Sequence, residues 1–214
     1  MKALLDLILP YRCGGCDALG EQWCAECAAE LGRGPVRVRP RADPGVPCWA
    51  LGPYRGAGRR AVLAAKERGR RDLAAPLGLA MAGALARLRA PGRPLLLVPA
   101  PTRTSAARRR GGDPVARSAA VAAGWLIDCR TAPLLWMGRG VRDSVGLTPQ
   151  ERTHNLRGKI MTVAAPEEWA MIDAKAQVVL VDDVLTTGAT VCESIRVLGR
   201  IGIVPRAVLV TCAA

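Results

Sequence analysis

Two adjacent carboxylates followed by a cluster of hydroxyls carry the sharpest chemical signal in the chain. Residues 178–190 read VVLVDDVLTTGAT. Four apolar residues in succession, Val178 to Val181, suit a central parallel strand buried on both faces, because a half-exposed strand would alternate. Asp182 and Asp183 stand where that run ends, and ligands of open α/β sheets bind outside the carboxyl ends of the strands. Thr186, Thr187, Gly188, Ala189 and Thr190 follow and run directly into the helical pattern VCESIRVLG. Backbone amides at such a helix start, with the helix dipole behind them and threonine hydroxyls around them, form a cradle for a phosphate. Acids beside it would be poor phosphate ligands, yet they accept hydrogen bonds from the vicinal hydroxyls of a ribose. The combination points to a ribose 5-phosphate. The competing reading is a strand that ends in a capped helix with solvated acids.

A second cluster is built from cysteines. Four of the eight fall at Cys13, Cys16, Cys24 and Cys27, two C-x-x-C pairs separated by seven residues. Each pair can place two thiolates on one tetrahedral ion, and the short, turn-rich stretch between them can fold back as a knuckle. A closed zinc site of four thiolates is the natural reading, with a structural role. Disulfides are the alternative, disfavoured by the lack of an export signal. Metal binding would fold a segment of about 25 residues that has too little apolar surface to fold alone. Cys48, Cys129, Cys192 and Cys212 are scattered and read as small buried hydrophobes.

The elements that must position these groups alternate in kind. CWALGPY has the look of a strand, and GRRAVLAAKERG and DLAAPLGLAMAGALARLRA carry apolar residues at helical spacing. PLLLVPA, DPVARSAAVAAGWL, APLLWM, VVLVDD, TVCESIRVLG and RAVLVT then alternate strand-length apolar runs with helical stretches. This is the signature of a parallel sheet with helices on its faces. Residues 1–9 suggest a short amphipathic helix ahead of the cysteines. The organisation expected is a helix and zinc knuckle over 1–31, a basic linker over 32–45, and one α/β domain over 46–214.

Composition sets the outer bounds. The 214 residues are half apolar but include only 5 Trp, 2 Tyr and no Phe, so the core must be built from Ala, Leu and Val. That is enough chain for one well-buried domain with a small appendage. No apolar stretch approaches the ~18–20 residues of a membrane span. The opening LLDLILP is interrupted by Asp6 and lacks a small-residue cleavage site, so a cytoplasmic protein without membrane contact is expected. The net charge of +13 comes almost wholly from arginine and is weak evidence for nucleic acid by itself. Its placement says more. Residues 32–72 carry 11 basic and 3 acidic side chains, whereas residues 160–195 carry 1 and 6. A positive field over one part of the molecule favours anionic ligands, whether a sugar phosphate or a nucleic-acid backbone.

The pattern of four apolar residues, two acids, three residues and then T-T-G resembles the phosphoribosyl pyrophosphate (PRPP) motif of type I phosphoribosyltransferases. The zinc knuckle ahead of it, AAKERGRRDLAAPLG, VPAPTRTSAARRRGGDPVARSA and VGLTPQERTHNLRG together look like the ComF family, which includes GntX-like proteins. The resemblance spans nearly the whole chain. It implies a type I phosphoribosyltransferase-like parallel sheet flanked by helices, with a small N-terminal zinc-binding segment. It implies a reaction in which a nitrogen nucleophile displaces pyrophosphate from PRPP in the presence of Mg²⁺. Asp182 and Asp183 would then hold the ribose, and Thr186–Thr190 the 5-phosphate. The loop after the first strand of the fold, Pro99, Ala100, Pro101, Thr102 and Arg103, would bind pyrophosphate, with Arg108, Arg109 and Arg110 neutralising it. Three adjacent arginines are also compatible with a solvated face. Residues 145–158 would form a mobile loop over the reactive centre, with Arg142, Arg152 and Arg157 reaching toward pyrophosphate. His154 reads as a surface residue of that loop rather than a proton carrier.

The chain departs from the family pattern at Gly112 and Asp113, where relatives carry an aromatic and an amide, and at Ser144, where a Gln is common. Three functions are compatible with these residues. The first is a PRPP-dependent transferase acting on an unknown nitrogen acceptor, tied to nucleotide salvage or DNA uptake. The second is a non-catalytic PRPP or nucleotide sensor that engages a helicase-like partner of the competence machinery. The third is a zinc-knuckle protein whose basic stretch tracks single-stranded DNA. A homodimer is compatible with the fold class.

Overall fold

The computed structural model describes residues 11–102, 112–138, 140–141, 148–163 and 175–214, apart from the side chains of Pro149, Arg152 and Thr153. Strands β1 (Val36–Val38), β2 (Cys48–Pro53), β3 (Leu95–Pro99), β4 (Cys129–Thr131), β7 (Gln177–Leu185) and β8 (Ala207–Ala213) form one sheet in the order β1-β2-β8-β7-β3-β4. Every neighbouring pair in it is parallel except β1 with β2. Strands β5 (Leu135–Met137) and β6 (Ile160–Thr162) pair antiparallel in a separate ribbon, so APLLWM does not join the main sheet.

The central strands are apolar without interruption because both faces are covered. Leu95, Leu97, Val179, Val181 and Leu209 pack beneath α2 (Gly56–Glu67), α3 (Ala74–Leu88) and α4 (Pro114–Gly124). Leu96, Val98, Leu180, Val208 and Val210 pack on the opposite face beneath α6 (Ala189–Arg200) and the β5–β6 ribbon. With no Phe, the interior is a dense Leu, Val and Ala packing, as the composition requires.

Connection direction positions the site. From β3 the chain passes through α4 to β4 on one side; from β7 it passes through α6 to β8 on the other, by the opposite face. The strand order therefore reverses between β3 and β7. In open α/β sheets, ligands bind in the crevice beyond the carboxyl ends of the strands at such a reversal.

Two boundaries differ from the sequence expectation. The basic stretch expected as a linker contributes β1, which adds an antiparallel edge strand through Val36↔Ala50 and Val38↔Cys48. The three residues are too short and too interrupted by Pro and Arg to show a strand period. The cysteine segment does not stand apart from the domain. Its helix α1 (Ala25–Gly32) buries Leu31 in the main core, Gly14 lies against Leu73, and the Arg60 Nε–H donates to the Gly15 carbonyl. The helix expected over 1–9 lies outside the described residues. Among the described residues no helix is long and apolar enough to cross a membrane.

Candidate functional site

β7 runs to Leu185, beyond the point where its apolar run ends. Pairing with β8 continues through Asp182↔Val210 to Leu185↔Ala213, whereas pairing with β3 stops at Pro99↔Val181. Asp182 is thus the first residue of β7 that projects past its β3 neighbour into the crevice. The pleat sends the two acids to opposite faces. Asp182 lines a cavity with Leu156, Val184 and the whole of the turn from Thr186 to Val191. Asp183 lies on the α2 side, where its Oδ2 is 2.6 Å from Lys66 Nζ. The Asp182 Oδ1 accepts the Asp183 amide at 2.8 Å. Burial, and then the charge of Asp183, push the Asp182 carboxyl well above the ordinary range against the opposing pull of Lys66.

The turn after β7 is shaped by Gly188, which has φ +87° and caps α6. A side chain there would strain the backbone and would also strike the basic segment, since its Cβ would come 2.8 Å from the Ala42 carbonyl oxygen. Ala42 in turn donates its amide to the Thr187 carbonyl at 2.9 Å. The amides of Thr187, Gly188 and Thr190 donate to no acceptor among the described residues, and Ala189 reaches only the Thr187 Oγ1 at 3.4 Å. Amides directed outward at the start of a 12-residue helix are the geometry that receives a phosphate.

The loop after β3 is less generous than its small residues suggest. Pro99 and Pro101 have no amide hydrogen, and the Ala100 amide is taken by the Val181 carbonyl at 2.8 Å. Among the described residues of that loop Thr102 is the remaining backbone donor. Arg103, Arg108, Arg109, Arg110 and Arg142 lie outside the described residues. Within the segment read as a mobile loop, 145–158, residues 149–156 form helix α5 (Pro149–Leu156). A capping box starts it: the Thr148 amide donates to Glu151 Oε2 at 2.7 Å, and the Glu151 amide to Thr148 Oγ1 at 3.3 Å. The T-P-Q-E spelling carries that signal. Arg152 lies within α5, His154 is exposed on it, and Arg157 is exposed just beyond it, while Leu156 turns into the cavity beside Asp182.

The cysteine cluster assembles as its spacing predicts. The Sγ atoms of Cys13, Cys16, Cys24 and Cys27 lie within 4.8 Å of one another, with Cys13–Cys27 at 3.7 Å and Cys16–Cys24 at 3.6 Å. Sulfurs on a tetrahedral zinc ion with bonds of ~2.3 Å would sit about 3.8 Å apart, so the four thiols fit the ion. Burial opposes the Cys13 thiolate, but amide donors at Cys24, Cys16 and Gly15 outweigh it and bring the thiol down to about 6. Burial pushes its partner Cys27 up. Cys48 and Cys129 are pushed up to about 11 and Cys212 to about 12, each chiefly by burial, as expected of thiols that serve as apolar filling.

Sequence reasoning missed Lys66 and Ala42. A lysine in the last turn of a helix is ordinarily solvated, and Ala42 acts through its backbone, so neither carries a spacing signal. No protein-family model matches the chain, and no curated protein matches it in sequence. The chain is an α/β protein with a mostly parallel six-stranded sheet and a four-cysteine cluster able to hold zinc.

Proposed function

We propose that the chain binds PRPP in the crevice between β3 and β7, as a phosphoribosyltransferase of the ComF type, and transfers ribose 5-phosphate to a nitrogen acceptor. The reading is carried by one observation: the Asp182 carboxylate and the outward amides of Thr187, Gly188 and Thr190 share one cavity at the reversal of strand order. The amides and threonine hydroxyls hold the 5-phosphate, and Asp182 accepts a ribose hydroxyl. At the anomeric carbon the bond to the diphosphate oxygen breaks, a carbon–nitrogen bond forms, and the surplus proton on nitrogen passes to solvent. The protein supplies position and a preorganised field rather than covalent chemistry. In this reading Mg²⁺ arrives on the diphosphate's own oxygens.

Calorimetry tests the assignment. PRPP with Mg²⁺ should bind the wild-type chain and should not bind Asp182→Asn with Asp183→Asn, whose fold should be intact by circular dichroism. Unchanged affinity in the double variant removes the site.

A second reading is favoured by the Lys66 contact, which occupies one of the two acids and leaves a single carboxylate facing the cavity. In that reading the chain senses PRPP without turnover and presents the bound form to a helicase-like partner on single-stranded DNA. Pyrophosphate release across a panel of amine and nucleobase acceptors supports the transferase; PRPP-dependent association without release supports the sensor.

A further inference from the structure

Lys66 is the described cation in direct contact with the acid pair, and it comes from a different element. It sits in the last turn of α2, and its ammonium reaches Asp183 at 2.6 Å between side chains only 31 % and 14 % exposed. The walls around the two acids and Lys66 are largely apolar: Val62, Ala65, Leu77, Met81 and Val115. In such surroundings an unpaired carboxylate is costly, and two of them one residue apart are costlier still. Burial also works against the ammonium, but Asp183 and Asp182 outweigh it and hold Lys66 above its ordinary value. Among the described residues, other groups that act on this cluster are Tyr54 beyond β2, the Cys212 thiol of β8 and, toward Asp182, the Asp113 carboxylate before α4. Of these described groups, Lys66 is the one that brings positive charge to the acid pair.

We infer that Lys66 is a positioning residue of the sugar site, which holds the Asp183 carboxylate in place and leaves the acid pair with one net negative charge. The inference rests on the PRPP reading of the crevice. Lys66 does its work through Asp183 rather than on the ligand. With the ammonium removed, Asp183 would turn to solvent or take up a proton, and its carboxylate would no longer be held beside Asp182, whose Oδ1 accepts the Asp183 backbone amide at 2.8 Å.

The test is a double-mutant cycle read as PRPP affinity by calorimetry, in the full chain with Mg²⁺. Lys66→Met should weaken PRPP about tenfold or more, and Lys66→Arg should recover most of that loss. In an Asp183→Asn background the same Lys66→Met change should cost almost nothing further. An equal loss in both backgrounds overturns the positioning role, because a direct contact or a general positive field would act whether or not Asp183 is charged. Equal PRPP affinity in wild type and Lys66→Met overturns it as well. Should Lys66→Met fail to fold, Lys66→Gln takes its place in the same cycle. If the wild-type chain itself does not bind PRPP, the sugar-site reading falls and the role of Lys66 falls with it, a result distinct from binding that ignores Lys66.

Discussion

Ala42 and Gly188 touch across 146 positions of sequence: the Ala42 carbonyl oxygen lies 2.8 Å from the point where a Gly188 Cβ would stand. The Ala42 amide reaches back to the Thr187 carbonyl, and the Cys192 thiol donates to the Ala42 carbonyl at 3.6 Å. The basic segment is therefore a brace for the turn after β7. It packs so closely against the turn that a side chain at position 188 has no room.

Gly188→Ala should damage both stability and ligand binding. The φ of +87° disfavours any side chain, by about 1–3 kcal/mol for a non-glycine residue held in a left-handed conformation. The added methyl must also displace Ala42 or Pro40, whose Cβ lies 2.9 Å from it. Urea denaturation should show a loss at or above that range, and PRPP affinity should fall by more than the loss of folded protein explains.

Zinc content provides a separate check. The purified chain should carry one zinc ion, and Cys16→Ser or strong chelators should release it. Because Gly14 packs on Leu73 and Leu31 belongs to the main core, release should lower the melting temperature of the whole protein. The metal-free chain should give up protons as zinc returns. That release is measurable as a dependence of the zinc-binding heat on the buffer's ionisation enthalpy; a heat that is the same in every buffer would mean that no thiol loses a proton to the ion.

The strand and helix periods, the cysteine spacing and the turn after β7 were legible because each is written in contiguous residues. The apolar run Val178–Val181, for instance, needs no distant information to be read as a doubly covered strand. The acids were legible as a pair, but not their separation to opposite faces. That follows from β7 continuing four residues past Val181, which pairing with β8 decides. Lys66, Ala42 and the edge strand β1 depend on contacts made between distant segments, and short or backbone-mediated contacts leave no periodic trace. The antiparallel β5–β6 ribbon was missed for the same reason: three apolar residues spell a strand but not its partner.

Asp113 has a role the family resemblance does not suggest. It is the N-cap of α4, its Oδ1 accepting from the Val115 amide at 2.8 Å and the Ala116 amide at 3.3 Å, with Pro114 at the first helical position. Asp113→Ala should cost about 1 kcal/mol in chemical denaturation, and Asp113→Asn, an equally good cap, should cost much less. Equal losses in the two variants would show that the negative charge at the helix start, rather than an acceptor oxygen alone, carries the cap.

Glu193 sets the acid limit of the α5 side of the crevice. Its carboxylate receives the Arg196 guanidinium at 2.6 and 2.8 Å, and the Gly158 amide at 2.7 Å, which ties the turn after α5 to α6. Arg196 first, and then the Gly158 amide against the cost of burial, hold this carboxyl below its ordinary 4.5. The folded chain therefore binds fewer protons at this position than the unfolded chain as pH drops through 4.5. The contribution is fully present above that value and is lost as pH falls through the lower folded value. Glu193→Gln should reduce stability at pH 7, where the wild-type carboxylate is charged, and should flatten the decline of stability below pH 4.5. Denaturation curves collected from about pH 7 to about pH 3 should converge for the two proteins at the acid end; parallel curves over the whole range would mean that Glu193 does not carry this dependence.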